Sequence, residues 1–178
     1  MSYCRYMEDT RNVTDEFKGV PIESIVETLD SRGHSLEIAI ENVERDFSMG
    51  TIVRSANAFG VRIVHVIGRK QWNKRGAMMT DKYLHVEYHD TVDAFLQATA
   101  GKTIIAFDNV DGSVPLSTAE LPANSVLVFG AEGPGISGEL RNHAHVIVAI
   151  EQFGSTRSIN VGVAAGIAMY AWLERNLL

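Results

Sequence analysis

Short apolar runs alternating with helical segments predict an α/β fold, a mainly parallel sheet flanked by helices. Three observations carry that prediction. Five runs of four or five residues, rich in Val and Ile, are apolar almost throughout, as strands covered on both faces are. Segments with helical spacing lie between them. Hydrophobic residues make up 46% and charged residues 21%, and 178 residues are enough to bury a substantial core without staples.

Taken in order, residues 1–20 are polar and lack periodicity, which predicts a flexible arm ahead of a single domain over 21–178. Residues 21–29 begin with Pro21 and carry Ile22, Ile25, Val26 and Leu29, the spacing of a short amphipathic helix. A turn is expected at Ser31-Arg32-Gly33-His34. Strands are predicted over 36–40, 63–67, 103–107, 126–129 and 146–150, and helices over 49–59, 92–100 and 161–177. The longest apolar stretch, 161–173, is about thirteen residues, too short to span a bilayer, and reads as a buried helix. The N-terminus has no apolar core of signal-peptide length, so a soluble, cytoplasmic protein without membrane partners is expected. The lone cysteine, Cys4, excludes an internal disulfide framework and a multi-cysteine metal site.

Net charge is −6, but its distribution is uneven. Arg62, Arg69, Lys70, Lys74, Arg75 and Lys82 against the single acid Asp81 make 62–82 a +5 segment on a body of −11. Cations there suit phosphates, and Trp72 suits stacking on an unpaired base. Such a patch on an acidic body fits brief docking of RNA. His65, His85, His89, His143 and His145 show no ligand spacing, and no metal is expected.

Ligands of parallel sheets bind beyond the carboxyl ends of the strands, and three loops of that kind are unusual here. The first, 41–50, enters a helix carrying Arg54, with Ser48 as a possible N-cap. The second, Gly130-Ala131-Glu132-Gly133-Pro134-Gly135, packs three glycines and a proline into six residues and permits close backbone approach to a ligand. It is neither GxGxxG nor a P-loop, which counts against a small nucleotide-binding oxidoreductase, the alternative enzyme class. The third, 150–160, leads into a helix rich in small residues (Gly162, Ala165, Gly166), which Ser158 or Asn160 can cap. Each loop alone also reads as ordinary structure.

Together, in this order, the three loops resemble the SpoU (TrmH-like) branch of the SPOUT RNA methyltransferases over about residues 35–178. Ile52-Val53-Arg54-Ser55-Ala56-Asn57-Ala58-Phe59-Gly60-Val61 is similar to that family's first motif, and Val128-Phe129-Gly130-Ala131-Glu132-Gly133-Pro134-Gly135 to its second. Residues 150–165, centred on Ser158-Ile159-Asn160-Val161, are similar to its third. The resemblance implies a C-terminal deep trefoil knot, a homodimer formed through the knot region, and S-adenosylmethionine as cofactor. It implies methyl transfer to a ribose 2′-hydroxyl of tRNA or rRNA; a non-catalytic RNA-binding dimer of the same fold is the alternative. By position it implies cofactor contacts at Gly130, Ile150 and Ile159, with Glu132, Gly133 and Ser158 close by. It implies catalytic roles for Arg54, Ser158 and Asn160, and RNA contacts at Ser48 and Arg54; the basic segment itself adds Arg69, Lys70, Trp72, Lys74 and Arg75 as candidate RNA contacts. The chain departs from the family pattern at Ser48, where asparagine is common, at Ala131, and at Glu151-Gln152, where Pro-Met is usual.

Overall fold

The structure, a computed structural model, describes residues 9–42, 48–131 and 133–178. Its strands are β1 (Glu37–Asn42), β2 (Ile63–Gly68), β3 (His85–His89), β4 (Thr103–Phe107), β5 (Val114–Pro115), β6 (Ser125–Phe129) and β7 (Val146–Ala149). Its helices are α1 (Ile22–Arg32), α2 (Ser48–Ala58), α3 (Val92–Ala98), α4 (Gly138–His143) and α5 (Val161–Asn176). The strands form one seven-stranded sheet in the order β3-β2-β1-β6-β4-β7-β5, and every neighbouring pair is parallel. β7 thus lies between β4 and β5, which follow one another in the chain.

All five predicted strands are present, because a run buried on both faces is apolar at every position. β6 is the clearest case, with all five residues buried. The unpredicted β3 is an edge strand, His-Val-Glu-Tyr-His, whose mixed polar alternation hides it among loop residues. The equally unpredicted β5 has two residues, and α4 has six with Leu140 alone buried.

Successive strand residues point to opposite faces, so each strand feeds two cores. On one side Ile38, Ile40, Val64, Val66, Leu127 and Phe129 pack against Met49, Ile52 and Val53 of α2 and Ala165, Met169 and Trp172 of α5. On the other, Ala39, Ile67, Ala106, Val126 and Val128 pack against Val92 and Phe95 of α3 and Leu140 of α4. The Trp172 indole N–H donates to the Pro122 carbonyl at 2.9 Å, so this buried aromatic leaves no polar atom stranded.

α5 differs from the expected buried helix. Gly162, Ala165, Ala168, Met169 and Trp172 face the core, whereas Val163, Ile167 and Tyr170 are exposed. Within the segment read as an arm, residues 9–20 lie on the body. Phe17 is buried with Ile25 and Tyr83, and Arg11 pairs with Asp9 at 2.6 Å while donating to the Val20 carbonyl. Among the described residues, no helix is long and apolar enough to cross a membrane.

Candidate functional site

The three unusual loops all begin at the carboxyl ends of strands, and side chains of their described residues tie them together; residues 43–47 of the first lie outside the described residues. The loop after β6 is folded on itself. Gly135 N–H donates to the Ala131 carbonyl at 3.1 Å, and Gly133 and Gly135 take φ of 99° and 71°, which favour glycine. Gly130 lies against the Gly135 carbonyl and the Ile136 nitrogen so closely that a Cβ there would overlap both. Two carboxylates from neighbouring strands hold the far end of this loop. Asp108, just after β4, accepts from Ile136 N–H at 3.2 Å, and the buried Glu41 of β1 accepts from Ser137 N–H at 2.7 Å. Ser137 in turn caps α4 by accepting from Leu140 N–H. Glu132 lies outside the described residues.

The loop after β7 has the opposite construction. Among the described residues, no backbone N–H from 150 to 159 donates to a backbone carbonyl. Side chains tether it instead. Asn109 Nδ2–H donates to the Arg157 carbonyl at 3.0 Å, and Glu151 accepts from Ser117 N–H at 3.0 Å. Hydrogen bonding by Ser117 holds the Glu151 carboxyl below the usual glutamate range. Ile150 and Ile159 are half-buried, Ser158 is exposed, and Phe153 is 98% exposed.

Asn160 decides the capping question left open by the sequence. Its Oδ1 accepts from Gly162 and Val163 N–H, making it the N-cap of α5. Its Nδ2–H donates to Ser48 Oγ at 2.9 Å, joining the first turns of α2 and α5 across 112 residues of chain. Ser48 is buried as the first residue of α2. Gly162 permits the approach, since a Cβ there would come within 3.1 Å of Thr51. Arg54, farther along α2, is exposed and makes no hydrogen bond or ion pair with any described residue.

The basic segment packs beside α2. Gly50 and Gly76 bring the two backbones together, and a Cβ at Gly50 would lie 2.6 Å from the Ala77 nitrogen. Several cations of the segment are paired with acids, and one of them is buried. Arg62 is buried against Asp30 at 2.8 Å, Lys70 pairs with Asp90, and Lys74 pairs with Asp81. Arg69 and Arg75 are exposed. Trp72 is half-buried against the core, donates to Tyr88 Oη at 3.3 Å, and carries the Lys74 ammonium 5.4 Å from its ring centre. Met78 and Met79 are both in the left-handed region (φ 49° and 66°), each at a cost of roughly 1–2 kcal/mol.

Two groups of residues were not singled out in the sequence. Glu41, Asp108 and Asn109 organise the loops, and the detectable signal was their place directly at strand ends. His65, Glu87 and His89 converge on the other face of the sheet, although the histidines look scattered along the chain. Their signal was the alternation in His85-Val86-Glu87-Tyr88-His89, which sets the three polar residues on one side of an edge strand. Burial alone would raise the neighbouring Glu37 carboxyl; hydrogen bonds from His65 and Lys102 outweigh it and hold it below the usual glutamate range. Burial, with His65 adding to it, pushes the His89 imidazole below the usual histidine value.

The fold and the loops define an α/β domain of the parallel-sheet class, with its unusual loops gathered at the carboxyl ends of the strands. Residues 35–170 match the model of the SpoU rRNA Methylase family, and the chain belongs to that family. It is 30% identical over 144 residues to an uncharacterized tRNA/rRNA methyltransferase of Mycolicibacterium smegmatis, covering 76% of this chain and 45% of that protein. It is 26% identical over 172 residues to a tRNA (guanosine(18)-2′-O)-methyltransferase of Borreliella burgdorferi, covering 92% of this chain and 75% of the relative. The crystal structure of an AdoMet-bound rRNA methyltransferase from Sinorhizobium meliloti superposes with a TM-score of 0.72 at 25% identity, over 81% of this chain and 57% of the other. The chain therefore spans less than half of the first relative and rather more than half of the solved one.

Proposed function

We propose that this protein transfers a methyl group from S-adenosylmethionine to a ribose 2′-hydroxyl of tRNA or rRNA in the cytoplasm. The observation that carries the reading is the loop cluster at the carboxyl ends of β1, β6 and β7, with the exposed Arg54, which pairs with no described residue, on the adjoining helix. The residues present fit the cofactor. The Gly130–Gly135 contact makes a wall without side chains, and 150–159 offers main-chain donors that no described carbonyl takes. Gly130, Gly133, Ile150, Ser158 and Ile159 are the residues to hold it. When bound, S-adenosylmethionine supplies a methyl group already activated by its sulfonium.

The work left to the chain is placement. A guanidinium stays protonated, so Arg54 is not a proton acceptor. It binds the phosphate beside the target ribose, orients the hydroxyl, and stabilises the negative charge that develops on its oxygen. Asn160 is a positioning residue, because both ends of its amide are engaged in joining α2 to α5. The exposed Arg69 and Arg75, with Lys70, Trp72 and Lys74, form the RNA-docking surface beside that helix.

Residues 21–178 act as one domain, and a second copy completes the site. The exposed Val163, Ile167 and Tyr170 of α5 supply an apolar face for a homodimer through this region. A trefoil knot is supported by the strand order. The chain leaving β7 must pass the segment joining β4 to β5, and Asn109 of that segment already binds the Arg157 carbonyl.

The test is calorimetry with S-adenosylmethionine, followed by methyl incorporation from labelled cofactor into bulk RNA with ribose 2′-O mapping. The wild type is expected to bind and to label, and Arg54→Ala to bind equally while labelling at least about 100-fold less. Absence of binding by the dimer overturns the cofactor assignment. Binding without labelling of any RNA overturns catalysis in favour of a dimer that only holds RNA.

A further inference from the structure

On the sheet face opposite α2 and α5, under α3, a polar network crosses three strands. Lys102 Nζ donates to Glu37 Oε1 at 2.9 Å, and Glu37 Oε2 lies 2.9 Å from His65 Nε2. His65 Nδ1 lies 2.9 Å from His89 Nε2 and 3.5 Å from Glu87 Oε2. Both imidazoles are buried beside Phe95, whereas the Glu87 side chain is 46% exposed.

We propose that His65, Glu87 and His89 bind a late first-row divalent transition metal, with Glu37 as the carboxylate that orients His65. One ligating atom from each of the three lies within 4.8 Å of the others. A carboxylate only accepts, so Glu37 fixes the His65 proton on Nε2 and turns the Nδ1 lone pair toward His89. This is the support that metal-ligating histidines commonly receive. With no metal, the proton between the rings sits on His89 Nε2. Its transfer to Nδ1 of the same ring frees a second lone pair, and no charge is gained or lost.

The donor set narrows the choice of ion. Two imidazoles and one carboxylate suit late first-row divalent ions, among which Cu2+ stands highest in general affinity and Ni2+ accepts the same ligands, with water in the remaining positions. Glu87 supplies the anionic ligand and the route in from solvent. The site would staple the edge strand β3 to β2 directly after the basic segment, which ends at Lys82.

The test uses the full chain without an affinity tag, titrated with Ni2+ and Cu2+ by calorimetry and followed by Cu2+ electron paramagnetic resonance. Expected are one site per chain, a nitrogen superhyperfine pattern, and a raised melting temperature. His89→Gln and Glu87→Gln are expected to weaken binding at least about tenfold, and Glu37→Gln about 10–100-fold. His143→Gln, at an exposed histidine outside the cluster, is expected to leave it unchanged. Glu87→Gln alters a half-exposed side chain and keeps the test open if the buried variants fail to fold. No binding at micromolar metal, or binding unchanged in both Glu87→Gln and His89→Gln, overturns the proposal.

Discussion

The loops after β6 and β7 stand at the same end of the sheet and are built in opposite ways. In the first, carboxylates of the adjoining strands take the backbone donors of Ile136 and Ser137, and glycine contacts close the rest. In the second, ten successive residues carry no backbone N–H that donates to a described carbonyl. A loop whose backbone donors are taken by carboxylates of the sheet is a fixed wall, since any opening would break those bonds. A loop whose main-chain N–H groups find no acceptor among the described carbonyls keeps that donor capacity for something else. The pairing teaches a division of labour, with one loop held in shape by side chains of the sheet and the other left with donors that no described carbonyl takes.

The sharpest way to break this comparison is Gly130→Ala. Its methyl group has no room, and overpacking of about 3 kcal/mol corresponds to a loss of cofactor affinity on the order of 100-fold, read by calorimetry. Next is Asp108→Ala, which strands the Ile136 N–H. Urea denaturation is expected to show a loss of roughly 1–3 kcal/mol, and a neutral result would mean that the first loop is not held as described. Asn160→Ala removes the α5 cap and the partner of Ser48, with an expected loss of about 1 kcal/mol in the same assay. Smallest is Phe153→Ala in the second loop, expected to stay within about 0.5 kcal/mol of wild type because the ring is 98% exposed. Hydrogen exchange sharpens the contrast further. The Gly135, Ile136 and Ser137 amides should be protected with or without cofactor, and those of 150–159 should slow at least about tenfold only in its presence.

Much of the fold could be read from the chain because parallel strands advertise themselves. Residues 103–107 and 126–129 are apolar at nearly every position, and their shortness and β-branched content favour strand over helix. β3 escaped because an edge strand carries the polar pattern of its exposed face, and its His-Val-Glu-Tyr-His resembles a loop until its partner is known. In the site, Gly130 and Asn160 were legible, one through glycine density and the other through its place before an apolar helix. The pairings were not. Ser48 with Asn160, Glu41 with Ser137 and Asp108 with Ile136 join residues 112, 96 and 28 positions apart, and no local pattern encodes such contacts. The cation count also misled in part, because Arg62 belongs to a buried ion pair with Asp30 and not to the docking surface.

The place of β7 in the sheet has a consequence for how the chain is made. Strands β4, β5 and β6 leave the ribosome first, yet the slot between β4 and β5 can be filled only by a strand that follows all three. Until then β4 presents an unpaired edge, Thr103–Phe107, of continuous apolar sequence. Nascent chains caught at that stage would be templates for pairing with one another, so the interval before β7 arrives is when a chaperone matters most. A chain stalled there also lacks Asn160, so the link between α2 and α5 closes only as the exposed edge of β4 is covered.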